Sequence, residues 1–494
     1  MFESVELDNT ISKDDYEKKF SGIRTKLFNM QQKLKAAGIP TLILLDGVPG
    51  SGRGETVNLL NEWMDSRNIR NHTFWMASDN ERQRPDYWRY WRILPGKGDI
   101  GIFFGGWYSF AAAKTLKGKY KNAKFDRAMS EAREFERMLT DDGVLIIKLW
   151  LHLNEKTQAK VIRQRKEMGA VDPLAYVDKN FPKAGYGDII KIYSKIIRLT
   201  DTANAHWYLI NCQDRRSRNI AIVETLIHNM QSSLDLKNTP KQEETPIPPV
   251  ASSRIKFILD TVDITKTITP ADYETNLKKY QANLKDLTTK AFKKNVSTII
   301  LFEGWDAAGK GGGIRRITAA IDARIRQTIQ IAAPNDEEKA HHYLWRFWQH
   351  IPKAGFVTLY DRSWYGRTLV ERVEGFASVT EWSRAYQEIN NFEHQLAEKG
   401  IILVKFFLHI SQDEQLRRFK DRESCEWKKH KITEEDWRNR EKYGDYYKAI
   451  NDMFIRTSTD IAPWHIIPAE DKRYARIDAL RILCSVMSKK FLSL

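Results

Sequence analysis

The chain has 494 residues, 42% of them hydrophobic and 11% aromatic, which excludes a globally disordered protein and leaves room for two or three domains. Its formal charge of +16 favours a polyanionic partner, whether nucleic acid, an acidic membrane face or a phosphate polymer. Three cysteines without metal or redox spacing, no apolar run after Met1 and no stretch of the ~18 apolar residues a membrane span needs lead to the expectation of a soluble, cytoplasmic protein.

In chain order, residues 12–37 read as an amphipathic helix, with Tyr16, Phe20, Ile23, Leu27 and Leu34 at helical spacing. A strand, Thr41–Leu45, leads into the turn D-G-V-P-G-S-G-R-G. The same pattern returns 257 positions later. Gly47 and Gly52 match Gly304 and Gly309, Trp88 and Trp91 match Trp345 and Trp348, Pro95 matches Pro352, and Trp107-Tyr108 matches Trp364-Tyr365. The strands from Gly143 and Gly400 keep this offset, as do Trp207 and Trp464. Such self-similarity marks a duplicated domain.

Between the copies, residues 236–254 hold four prolines among polar residues and read as an extended linker. The expected division is therefore a first domain over 1–235, the linker, and a second domain over 255–494. The second copy begins with an amphipathic helix over 271–295. Its strands are expected near 298–303, 328–333, 356–360, 401–408 and 464–468, separated by helical stretches. Alternating β and α with Ile, Val and Leu runs predicts, in each copy, a three-layer α/β/α domain on a parallel five-stranded sheet.

The second copy's first strand, Ile299–Phe302, opens onto E-G-W-D-A-A-G-K-G-G-G. Gly304, Gly309 and Lys310 have the G-x-x-x-x-G-K spacing of a phosphate-binding loop. Glycines let backbone N–H groups turn inward on an anion, the following helix points its positive end at the same place, and lysine adds a mobile charge. Gly311 stands where such loops usually carry the Ser or Thr that holds magnesium, which makes Asp306 the nearest carboxylate able to supply a metal ligand. Asp361 emerges where F-V-T-L-Y ends and is expected as the second metal carboxylate, with Arg362 beside it able to fork onto phosphate oxygens. The charged segment 417–442, containing R-R-F-K-D-R and W-K-K-H-K, is expected as a helical lid that closes cations over phosphates and expels water.

The first copy has Pro49 for Asp306, Arg53 for Lys310, Phe104 for Asp361 and Gly105 for Arg362. Pro49 and Phe104 offer magnesium no side-chain oxygen, so this copy is expected to be catalytically inactive. Arg53 and Arg165, the latter matching Arg422, keep phosphate binding open for it. Trp345, Trp348, Trp364 and Tyr365 persist as aromatics in the inactive copy and read as packing, whereas His341-His342 is expected at the surface.

The runs E-G-W-D-A-A-G-K-G-G, A-P-N-D-E-E, W-R-F-W, D-R-S-W-Y-G-R and P-W-H-I-I-P-A-E-D-K-R-Y-A-R together resemble the second family of polyphosphate kinases. The likeness covers residues 270–490 closely and 15–230 in degenerate form. It implies a P-loop kinase fold with a helical lid and two copies packed as a pseudo-dimer. For a two-copy member with an intact second copy, it implies magnesium-dependent transfer (manganese substituting) of the terminal phosphoryl of inorganic polyphosphate to AMP, giving ADP. By the same resemblance Asp306 and Asp361 are catalytic carboxylates and metal ligands, and Lys310, Arg362 and Arg422 are phosphate-binding cations. Gly304, Gly309, Gly311 and Gly312 would line the phosphate site. Separately from the resemblance, the +16 charge and the position of Arg315 and Arg316 on the helix after the loop make these two the expected start of a basic path for the polymer. Three alternatives stay open at this point: a nucleoside diphosphate acceptor, an ATP-dependent nucleoside monophosphate kinase, and a polyanion-binding scaffold. No role in binding nucleic acid is expected, because the strand aromatics sit in apolar runs rather than interleaved with basic residues.

Overall fold

The computed structural model describes residues 1–6, 10–74, 77–167, 184–239, 257–426 and 432–492, with the side chains of residues 165 and 166 left aside. Two compact units result. The first comprises Met1–Ser78 and Arg89–Lys241 with Asp336–His342, and the second comprises Gln242–Asn335 and Tyr343–Leu494 with Asp79–Trp88.

Each unit is built on one parallel five-stranded sheet. In the first, β1 (Thr41–Gly47), β2 (Ile69–Thr73), β3 (Ile100–Phe104), β4 (Leu145–His152) and β5 (Trp207–Asn211) are ordered β2-β3-β1-β4-β5. In the second, β6 (Thr298–Gly304), β7 (Arg326–Gln330), β8 (Val357–Asp361), β9 (Ile402–His409) and β10 (Trp464–Pro468) repeat that order. Pairing is parallel throughout. The interior strands β1 and β9 are buried along their whole length, as continuous Ile, Leu, Val and Phe runs require of a sheet covered on both faces.

Two expectations shift. The edge strand β7 begins at Arg326 and ends at Gln330 rather than running over 328–333. Its register is set by pairing, Arg326 opposite Val357 through Gln330 opposite Asp361, because on a largely exposed strand no apolar pattern fixes the ends. The first unit's last helix, Arg215–Asn238, continues three residues into the expected linker with Thr239 as its C-cap, and residues 240–254 lie outside the described ones.

Both sheets place the loop after their middle strand at the carboxyl edge, between neighbours on either side, where open α/β sheets form ligand crevices. Below that crevice both units carry the same buried ion pair. Lys148 donates to Glu136 (2.8 Å) and to the Thr200 carbonyl (2.7 Å); Lys405 donates to Glu393 and to the Thr457 carbonyl (both 2.8 Å). The Tyr108 and Tyr365 hydroxyls donate to the respective glutamates at 2.7 Å, and Trp107 and Trp364 supply indole N–H bonds to the same carboxylates. Trp345 and Trp348 are buried as expected, but so is His342, which is only 4% exposed. Among the described residues no helix is long and apolar enough to cross a membrane, and the three cysteines are free thiols.

Candidate active site

The second unit's site begins at the end of β6. A side chain at Gly304 would place its first carbon 2.5 Å from the Leu408 carbonyl oxygen, and φ there is +141°, so only glycine lets the chain pass this close to β9. The loop that follows turns through Ala307 at φ +63° and ends at Gly309, the N-cap of the helix Lys310–Thr318. Space beside Gly309 is open, with no atom within 4 Å of where a side chain would start. Free N–H groups of a helix end thus face an uncovered crevice. Lys310 Nζ donates to the Gly304 (2.6 Å) and Trp305 (3.2 Å) carbonyls, curling back over the loop that it follows.

Asp306 and Arg362 meet here. Arg362 donates to Asp306 Oδ1 at 3.2 Å, and Asn439 donates to Asp306 Oδ2 at 3.0 Å. Burial by itself would raise the Asp306 pKa, but the charges of Lys310 and Arg362 and the bond from Asn439 outweigh it and hold the carboxyl below its usual range. Arg362 takes the left-handed backbone conformation (φ +62°), a strain of roughly 1–3 kcal/mol that the surroundings must hold, as is common where a side chain is aimed for function. Its amide continues the sheet by donating to Phe302, and its guanidinium also lies 3.5 Å from Glu435. Asp361, half-buried at the tip of β8, faces the first turn of the loop helix. A side chain at Gly311 would begin 4.0 Å from Asp361 Oδ2. Beneath them Glu303 (5% exposed) accepts the Ser363 hydroxyl at 2.7 Å, and burial pushes its carboxyl pKa up.

Arg315 and Arg316 fall in the last turn of the loop helix, away from its N-terminal mouth, whereas Arg476 faces Gly312 at 3.4 Å from where a side chain would start. Arg422 closes the helix Gln412–Glu423 and acts electrostatically on Asp436; the W-K-K-H-K run lies outside the described residues. It is Arg418, one turn earlier and 2% exposed, that enters the site. Its guanidinium donates to the carbonyls of Ala307 (3.0 Å), Ala308 (3.0 Å), Ala469 (2.7 Å) and Glu470 (2.9 Å), and its Nε pairs with Glu414. Sequence reasoning missed it, although Gln415, Arg418 and Phe419 fall on one helical face, the i, i+3, i+4 signature of an inward-facing stripe. Glu303 and Asn439 were missed too.

The first unit lacks this arrangement. Arg53, in the place of Lys310, lies 3.9 Å from the buried Asp46 and 5.0 Å from the centre of the Phe104 ring. Arg218 closes the crevice itself. A side chain at Gly52 would begin 1.7 Å from its guanidinium, which donates to the Ser51 carbonyl (3.3 Å) and to Glu55 (3.0 Å). The side chain of Arg165 lies outside the described ones.

The polyphosphate kinase 2 family model matches residues 10–238 and again 267–492, one match per copy. The chain belongs to the polyphosphate kinase 2 family. As a polyphosphate kinase 2 with two copies, it is similar over its full length to proteins named polyphosphate:AMP phosphotransferase. The one from Pseudomonas aeruginosa is 44% identical over 489 residues, 98% of each chain, and that of Acinetobacter johnsonii is 36% identical over 92% of each. A crystal structure of a polyphosphate kinase 2 from Pseudomonas aeruginosa PA01 covers 100% of both chains at 42% identity with a TM-score of 0.87. The expected fold, two tandem α/β copies of the polyphosphate kinase 2 type, is the observed one.

Proposed function

We propose that this chain transfers the terminal phosphoryl group of inorganic polyphosphate to AMP, forming ADP, and that only its second copy is catalytic. One observation carries the reading: Asp306, Lys310, Asp361 and Arg362 converge on an open helix N-terminus in the second unit, while Arg218 covers the equivalent glycine in the first. Donor and acceptor follow from the names of the full-length relatives.

In this reading the loop N–H groups and Lys310 hold the phosphate next to the one transferred. Lys310, released from the carbonyls of Gly304 and Trp305, swings onto the phosphate oxygens. Arg362 neutralises charge growing on the transferred group and keeps it aligned with the attacking oxygen of AMP. Arg418 locks the loop carbonyls away from the phosphates, so the N–H side of the loop faces them. Arg422 and Arg476 contribute positive charge at the rim.

Asp306 and Asp361 would hold magnesium, or manganese in its place. They fit it by the chemistry of the donor set: Asp361 borders the first turn of the loop helix, Asp306 sits in the loop itself, and magnesium characteristically takes one or two carboxylates with waters and phosphate oxygens. Asp306, kept ionised, is a ready donor. When bound, the metal supplies charge neutralisation for the leaving phosphate chain.

The test is ADP formation from AMP, with long-chain polyphosphate or ATP as donor and magnesium present. Turnover with polyphosphate and little with ATP is expected. Turnover with ATP alone would make the chain a nucleotide kinase, and conversion of ADP but not AMP would overturn the acceptor.

A further inference from the structure

The helix Glu434–Glu441 reaches both groups that face the crevice. It sets Glu435 against Arg362 and sends Asn439 to Asp306. The Asn439 contact is built from two sides. The Tyr446 hydroxyl lies 3.1 Å from Asn439 Oδ1, and because the Asp306 carboxylate can only accept, the amide must point its Nδ2 at Asp306 while Oδ1 takes the tyrosine proton. Tyr446 is buried in the helix Tyr443–Thr457, so the chain Tyr446–Asn439–Asp306 is anchored in packed structure at its far end. Asp306 Oδ1 is meanwhile held by Arg362. With both oxygens fixed by N–H donors, the carboxylate cannot spin about its last torsion. A carboxylate has about four lone-pair positions, so two remain for a metal.

The first copy supplies an independent observation. At the same offset of 257, the sequence has Pro49 for Asp306, Pro182 for Asn439 and Ile189 for Tyr446. Ile189 is buried like its tyrosine counterpart but has no hydroxyl to give. The aligning chain is absent where the carboxylate it would align is absent, while the Lys405–Glu393–Tyr365 network below has its full equivalent in Lys148–Glu136–Tyr108.

We infer that Asn439, oriented by Tyr446, is a positioning residue that fixes the Asp306 carboxylate for metal binding. The inference rests on the magnesium-dependent reading above. Partners of this kind typically cost ~10–100-fold in metal affinity when removed.

The test uses the full chain and two readouts: Mn2+ binding followed by electron paramagnetic resonance without AMP or polyphosphate, and the magnesium concentration giving half-maximal ADP formation. Asn439→Ala should weaken both by ~10-fold or more, with the larger loss in magnesium half-saturation than in the KM for AMP. Tyr446→Phe, which removes one hydroxyl, should shift both in the same direction by a smaller factor, and this variant carries the test should Asn439→Ala fail to fold. In an Asp306→Asn background Asn439→Ala should add nothing, because coupled residues are not additive. An active wild type with Asp306-dependent Mn2+ binding that Asn439→Ala and Tyr446→Phe leave unchanged would overturn the inference alone. A wild type that neither makes ADP nor shows Asp306-dependent Mn2+ binding would overturn the functional reading beneath it.

Discussion

The two copies share a sheet order, a strand register and a buried ion-pair network, yet differ almost completely within the crevice above the sheet. The most instructive difference is how each holds its glycine loop. In the second copy, Arg418 reaches from the helix after β9 and clamps the Ala307 and Ala308 carbonyls. In the first, position 161 is a valine, and Arg218 from the unit's last helix takes the carbonyl of Ser51, the counterpart of Ala308. One clamp leaves the space beside Gly309 open and the other fills the space beside Gly52. A loop carbonyl finds an arginine donor in either copy, but in the first it comes from a direction that closes the crevice.

The strongest way to break the comparison is at the open crevice. Arg362→Ala and Asp361→Asn should each lower kcat by ~10³-fold or more, and Asp361→Asn should do so without moving the thermal unfolding midpoint, since its half-buried carboxylate sits at a strand tip outside the core. Arg53→Ala in the first copy should leave kcat within about twofold; a large loss there would make the first copy a participant in catalysis. Next in size comes the shared network. Lys405→Met and Lys148→Met each strand a buried glutamate and should each destabilise their unit by about 3–5 kcal/mol in urea unfolding. Unequal losses would show that the two scaffolds are not energetically equivalent.

A smaller, pH-dependent effect separates His409 from its counterpart His152. Trp305 donates to His409 Nδ1 at 3.0 Å, so protonating that nitrogen would break a buried bond. Burial lowers the His409 pKa to about 4, against an ordinary value of 6.5. The unfolded chain therefore binds a proton that the native one refuses, and stability is full above pH 6.5 and falls as pH drops from 6.5 towards 4, by up to about 3 kcal/mol. His152 is lowered by burial too, but Glu6 accepts from its Nε2 at 2.9 Å and opposes the shift. His409→Gln should flatten the acid limb of stability more than His152→Gln. The smallest expected effect is that of Pro49→Asp with Arg53→Lys in an Asp361→Asn chain. No ADP should form, because Phe104, Gly105 and the Arg218 plug remain.

Much of this was legible in the sequence because its carriers are local. The constant offset and the apolar runs of β1, β4, β6 and β9 report buried parallel strands directly. Asp306, Lys310, Asp361 and Arg362 follow the carboxyl ends of two apolar strands, and a parallel sheet puts all such ends on one edge; that β6 and β8 are neighbours there, with β7 outside them, is seen only in the structure. Arg418, Asn439 and Glu303 were not legible as site residues. The first lay inside a charge run, and its partners are backbone carbonyls that carry no side-chain signature. The second approaches from more than a hundred residues away in the chain, and the third hid at the end of a strand. The edge strand β7 was displaced because its exposed face leaves no pattern to count.

Gly47 is kept in the copy that lost both carboxylates, and its surroundings explain why. A side chain there would begin 2.4 Å from the Leu151 carbonyl oxygen, just as one at Gly304 would collide with Leu408. That glycine is demanded by two strands passing at close range, whatever the loop beyond it does. In a newly sequenced relative, its presence would certify the sheet and say nothing about turnover; the informative columns are those of residues 306 and 361.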